Sequence, residues 1–182
     1  MSPSTPEPQL PQKRLFFALP CAQPQRKAIA QWRRELGLRN GSPVPSENFH
    51  LTLLFLGAVE LDQIEQVCQA AATVRRPQAP LRITLDRFEV WQRNALLMLT
   101  PSQPPKALGQ LAYALQQALL PLGLGAEAKE FRPHVTLSRR FNSTLPESPS
   151  EPEFWLKCDY FALFESHQGR YREIARWPLD GV

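Results

Sequence analysis

Phe49-His50-Leu51-Thr52-Leu53 and Pro133-His134-Val135-Thr136-Leu137 share one pattern, His, apolar, Thr, Leu, and together hold two of the three histidines of the 182-residue chain. In an extended strand alternate side chains share a face, so His50 and Thr52 point one way, and His134 and Thr136 do likewise. Each stretch sets an imidazole beside a hydroxyl. A lone histidine in an apolar strand is ordinarily a hydrogen-bonded core residue, and a lone threonine there reflects strand propensity. Two copies at equivalent points of a repeated layout point instead to a shared cleft, where two imidazoles reach one phosphate from opposite sides.

Working outward, the same order of elements surrounds each copy. Residues 14–19 are an apolar run closed by Pro20, which predicts a buried strand. Ala28, Ile29, Trp32 and Leu36 recur at three- and four-residue steps, predicting a helix over 23–36 that stops at Gly37. A loop over 39–47 delivers the chain into the first His-Thr strand, 49–56, closed by Gly57. In the second half a strand at 95–100, a helix after Pro105 with Leu108, Leu111, Leu115 and Leu119 on one face, and the second His-Thr strand at 134–139 repeat that order.

Between the halves lie a predicted helix over 61–74 and a strand over 81–90, which forms a hairpin with 95–100 through 91–94. Three prolines and three serines make 142–153 a flexible surface connection, and strands at 158–165 and 170–177 close the chain around the turn 166–169. The expected fold class is α+β: two pseudo-symmetric lobes, each an antiparallel sheet backed by helices, with the active-site cleft between them. Residues 1–13 are expected to be a disordered tail, and 14–182 a single bilobal domain.

Net charge is +4, and sixteen of the twenty-one basic residues are arginines, a balance that suits an anionic partner. Cys21, Cys68 and Cys158 are an odd set without metal-like spacing, which predicts free thiols in a reducing compartment. The N-terminal stretch lacks the pattern of a signal peptide and no segment is long and apolar enough to span a membrane, so a cytoplasmic location is expected. His50, His134 and His167 have no acidic or cysteine companion at ligand spacing, which argues against a metal site. His167 sits in a polar turn and is expected to be exposed.

Two facing histidines suit in-line displacement at phosphorus. One neutral imidazole takes a proton from the nucleophile while one imidazolium gives a proton to the departing oxygen. An unperturbed pKa of about 6.5 keeps both forms accessible near neutrality. Thr52 and Thr136 can donate to the non-bridging oxygens. Strand alternation places Arg132 on the same side as His134, unless Pro133 breaks the register. Arg139 and Arg140, at the strand's end, either bind neighbouring phosphates or face solvent. Phe131 is a candidate for base stacking, whereas Phe49 and Phe55 fall on the face opposite His50 and are expected in the core. Sequence physics leaves open which histidine is the acid.

Asn48-Phe49-His50-Leu51-Thr52-Leu53-Leu54-Phe55-Leu56-Gly57 and Phe131-Arg132-Pro133-His134-Val135-Thr136-Leu137-Ser138-Arg139, with Arg14-Leu15-Phe16-Phe17-Ala18-Leu19 before them, resemble the bacterial RNA 2′,3′-cyclic phosphodiesterases. These belong to the 2H phosphoesterase superfamily and are also called 2′-5′ RNA ligases. The resemblance runs from about Arg14 to Leu179. It implies hydrolysis of a terminal 2′,3′-cyclic phosphate to a 2′-phosphomonoester, reversible as 2′-5′ ligation, without metal or other cofactor. It further implies His50 as proton donor, His134 as proton acceptor, and Thr52, Thr136, Arg132 and Phe131 as substrate-binding residues. The partners expected are RNA ends or cyclic nucleotides carrying that phosphate, no membrane, and a monomeric enzyme. The alternatives are a related activity on 2′-5′ oligonucleotides or an ADP-ribose-like cyclic phosphate, and an RNA-binding module that holds ends without cleaving them.

Overall fold

The protein is described here by a computed structural model covering residues 11–127 and 130–180. Its strands are β1 (Gln12–Pro20), β2 (Ser42–Pro43), β3 (His50–Glu60), β4 (Leu81–Leu85), β5 (Arg87–Trp91), β6 (Leu96–Thr100), β7 (Val135–Arg139), β8 (Phe154–Cys158), β9 (Tyr160–His167) and β10 (Arg170–Pro178). The helices are α1 (Gln23–Glu35), α2 (Ile64–Ala72) and α3 (Lys106–Leu119). One eight-stranded sheet runs β10-β9-β1-β3-β7-β6-β5 with β2 against β7, its first four strands in one lobe and the rest in the other, so the lobes share a sheet rather than carrying one each; β4 and β8 form a separate two-stranded sheet. Every pairing is antiparallel.

The expected repeat is present as β1-α1-β3 and β6-α3-β7, with β3 paired to β1 and β7 paired to β6. The lobes meet where β3 lies beside β7, in register at Leu51 and Val135. A pseudo-two-fold axis between those strands therefore relates the two His-Thr motifs. Their inward faces supply Leu51, Leu53, Val135 and Leu137 to a continuous apolar core with Leu15, Phe17 and Leu19 of β1 and Leu97 and Leu99 of β6.

The helices cross between the halves. α1 follows β1 in sequence, yet Trp32 packs edge-on against Phe88 of β5 and Phe154 of β8, and Arg33 donates to the carbonyls of Val44 and Leu137. α3 lies between β6 and β7 in sequence, yet it packs on β3 and α2. Burial lowers the pKa of Arg33, which spends its charge on those two carbonyls and on the face of Phe49 at 4.9 Å.

Several expectations need correction. β1 begins at Gln12, whose partner is Glu60, and Lys13 pairs with Glu165 at 3.2 Å, so two residues assigned to the tail belong to the sheet. The Pro11 carbonyl accepts from the Leu61 N–H, and the rest of the expected tail, 1–10, lies outside the described residues. β3 does not stop at Gly57: that residue has φ +73° and sits at a register shift, so its left-handed backbone carries the strand through a bulge to Glu60. The strand expected over 81–90 breaks at Asp86, whose carboxylate caps Ser102 by accepting from its backbone N–H and its hydroxyl. Only the portion after Asp86 pairs with β6; the portion before it pairs with β8, a strand that proline-rich surroundings concealed. The closing pair starts at Tyr160 rather than 158.

Candidate active site

His50 and His134 are set by the same local device. His50 Nδ1 lies 2.6 Å from the carbonyl of Asn48, and His134 Nδ1 lies 2.7 Å from the carbonyl of Arg132, in each case two residues upstream. A carbonyl can only accept, so each ring carries its proton on Nδ1 and leaves Nε2 as the reactive nitrogen. Nε2 of His50 is met by the Thr52 hydroxyl at 2.8 Å. Asn48 is itself held by donating through Nδ2 to the Gly169 carbonyl at 2.9 Å, which ties the turn before β3 to the β9–β10 turn.

Both imidazoles and both threonines line one cavity of about 630 Å³ between the lobes, with Phe16, Asn48, Phe55, Arg139 and Tyr171. Phe16 is almost fully buried there and forms an aromatic floor, its ring 5.0 Å from His50, 5.0 Å from Tyr171 and 5.7 Å from Phe55. Arg139 crosses from β7 to donate to the Tyr171 hydroxyl of β10 at 3.1 Å. Burial, reinforced by Arg139 and His134, outweighs the Asn48 hydrogen bond and pushes His50 down to about 4. His134 is lowered for the same leading reason, burial, with its backbone hydrogen bond opposing.

Phe55 and Arg139 reach this cavity through a matched irregularity. In β3 the register shifts so that Ala18 faces Thr52 and Phe17 faces Leu54, leaving Leu53 as an extra residue. In β7 Met98 faces Thr136 and Leu97 faces Ser138, leaving Leu137 extra. A bulge immediately after each threonine inverts the alternation, so the cleft face reads His50, Thr52, Phe55 on one strand and His134, Thr136, Arg139 on the other. This corrects the expectation that Phe55 is a core residue; it is half exposed and stacked on Phe16. It also resolves the two arginines: Arg139 lines the cleft, whereas Arg140 is exposed with φ +52°. Two adjacent apolar residues, Leu53-Leu54, are the sequence trace of the first bulge; at the second, Leu137 is followed by the buried polar Ser138, and the sequence carries no such trace.

Arg132 and Phe131 do not line the cavity that holds both histidines. Pro133 breaks the strand register, β7 starts only at Val135, and the Arg132 guanidinium lies over Trp91 at 5.4 Å on the far side of His134. Phe131 and Arg132 line an adjoining cavity of about 450 Å³ with Thr52, Phe55, Tyr113 and His134. His167 is exposed at the β9–β10 turn. Among the described residues, no group of three or more His, Cys, Asp or Glu side chains converges as an ion site, and no helix is long and apolar enough to cross a membrane. Cys21 and Cys158 are buried free thiols, each raised to about 12 chiefly by burial.

The model of the family described as LigT like Phosphoesterase matches residues 19–96 and again 99–174, one segment for each half of the repeat. The chain belongs to that family. Among relatives of this LigT-like phosphoesterase, the RNA 2′,3′-cyclic phosphodiesterase of Escherichia coli K12 is 33% identical over 178 residues, spanning 95% of this chain and 98% of the relative. The crystal structure of E. coli LigT complexed with NADP+ superposes with a TM-score of 0.81 at 30% identity, covering 93% of this chain and 99% of the other. That of E. coli LigT complexed with 3′-AMP gives 0.80 at 31% identity over the same shares. The α+β architecture of two similar lobes is thus that of the LigT phosphoesterases.

Proposed function

We propose that this LigT-like phosphoesterase is an RNA 2′,3′-cyclic phosphodiesterase that opens the cyclic phosphate to a 2′-phosphomonoester by metal-free acid–base catalysis between His50 and His134. The observation that carries the reading is the pair of imidazoles in one cavity, each locked by a carbonyl two residues upstream so that Nε2 is the nitrogen left for proton transfer. Curated relatives bearing that activity in their names support it, as does the E. coli LigT complex with 3′-AMP.

In this reading water attacks phosphorus from the His134 side and gives its proton to Nε2 of that ring. The phosphorus–O3′ bond breaks on the opposite side, and O3′ takes a proton from Nε2 of His50, leaving the phosphate on O2′. The order of donor and acceptor follows the family resemblance. Thr52 and Thr136 donate to the non-bridging oxygens, and Arg139 adds a positive charge at the same cavity. Run backwards with a 5′-hydroxyl in place of water, the same groups form a 2′-5′ linkage. The enzyme is taken to act as a cytoplasmic monomer on RNA ends.

Incubation of a 2′,3′-cyclic-phosphate-terminated oligonucleotide with the enzyme in EDTA tests the reading. A 2′-phosphate product is expected. A 3′-phosphate would reverse the leaving oxygen, and activity lost to chelation but restored by a divalent ion would refute the metal-free mechanism.

A further inference from the structure

Beyond His134, away from His50, lies a second cavity of about 550 Å³ lined by Trp91, Gln92, Arg93, Asn94, Glu130, Arg132 and His134. Its wall joins three flat groups: the His134 ring sits 4.9 Å from Trp91, tilted by 52°, and the Arg132 guanidinium covers the Trp91 ring at 5.4 Å. The hairpin turn between β5 and β6 supplies three exposed polar side chains, Gln92, Arg93 and Asn94, at its rim. Hydrolysis needs nothing of this kind, because water requires no platform. An aromatic–guanidinium wall with polar groups at its rim is the composition that stacks a nucleobase and reads its edge.

The cavity's position gives it a role. In the proposed mechanism the ribose of a cyclic phosphate belongs on the side where O3′ leaves, that of His50, Phe16 and Tyr171, which leaves the space behind His134 to whatever attacks phosphorus. We infer that the Trp91–Arg132 cavity is the subsite for a second nucleoside, the one that presents a 5′-hydroxyl to phosphorus or departs from a 2′-5′ linkage. The inference rests on the proposed function and on its assignment of His134 to the nucleophile side. In the cleavage direction O3′ attacks phosphorus and gives its proton to His50. The bond from phosphorus to O5′ breaks, and O5′ takes the proton held by His134, yielding a 2′,3′-cyclic phosphate and a free 5′-hydroxyl. No other reactant is consumed. Trp91 and Arg132 do not touch the reacting atoms; they fix the second nucleoside, which makes them specificity residues for polymeric over mononucleotide substrates.

The test compares kcat/KM for 2′-5′-linked adenylyl-adenosine with that for adenosine 2′,3′-cyclic monophosphate. Two variants are used: Arg132→Ala, which removes the guanidinium but keeps the backbone carbonyl that orients His134, and Gln92→Trp, which fills the cavity from an exposed turn position. Each is expected to lower the dinucleotide value about tenfold or more, in the range of one lost base stack, while the cyclic mononucleotide value changes less than about threefold. Equal losses on both substrates would show that Arg132 acts only through His134 and would overturn the subsite. Unchanged dinucleotide cleavage, or a wild type inert on the dinucleotide but active on the cyclic nucleotide, would overturn it while leaving the proposed hydrolysis standing. A wild type inert on both would bring down the two together.

Discussion

His50 is expected to become an acid only when an anion occupies the cleft. Burial holds its pKa near 4 in the empty site, against an ordinary value of 6.5. That difference corresponds to about 3 kcal/mol opposing the charged ring, so at pH 7 roughly one molecule in a thousand carries the imidazolium. A phosphate monoanion at hydrogen-bonding range from the ring, about 4 Å between charges, contributes about 4 kcal/mol in the opposite direction at an effective dielectric constant near 20. The two effects are of equal size, and the bound anion therefore restores a pKa near the ordinary histidine range. Sulfate tests this because it does not titrate near neutrality. The Cε1 resonance of His50, assigned by its loss in His50→Gln, is expected to titrate near pH 4 in the free protein and at least about two pH units higher in saturating sulfate. By reciprocity, sulfate must bind more tightly as pH falls through that interval. A free-protein midpoint at or above 6, or a midpoint that sulfate leaves in place, would refute the reasoning.

Three other expectations follow from the same structure. His50→Ala and His134→Ala should each lower kcat by about 10²–10⁴ with unchanged far-UV circular dichroism, and near-normal turnover in either would remove that ring from the mechanism. Because the pKa of His50 is lower in the folded state, the unfolded chain binds the extra proton between about pH 6.5 and 4 and stability falls on acidification; urea unfolding should show wild type losing about 2.5 kcal/mol more than His50→Gln from pH 7.5 to 4.5. Trp32→Ala removes a nearly buried indole packed on Phe88 and Phe154, and thermal or urea denaturation should register a loss of about 3–5 kcal/mol.

The His-Thr spacing is readable because strand alternation is fixed by backbone geometry, and that alone puts the two side chains of each motif on one face. The order strand, helix, strand around each motif was readable too, since apolar periodicity and proline punctuation are local. What alternation could not supply was its own interruption. The bulges at Leu53 and Leu137 show only in the pairing with β1 and β6, and parity counted along each strand alone puts Phe55 on the core side and leaves Arg139 undecided between solvent and site. Pairing between distant strands was equally hidden: nothing near Phe154–Cys158 names Leu81–Leu85 as its partner. Pro133 stands between Arg132 and the strand whose parity it would follow, and the Arg132 guanidinium lies over Trp91.

The crossing of α1 and α3 makes the chain an intertwined pair of halves rather than two modules in tandem. Each half lends its helix to the other's sheet, and β9 and β10, from the end of the sequence, sit beside β1 from its beginning. A cut in the exposed Gln92–Asn94 turn would therefore yield fragments that each expose the face meant for the other's helix. Such fragments should behave as a complementation pair, inert alone and regaining structure and the two-histidine cleft together on mixing.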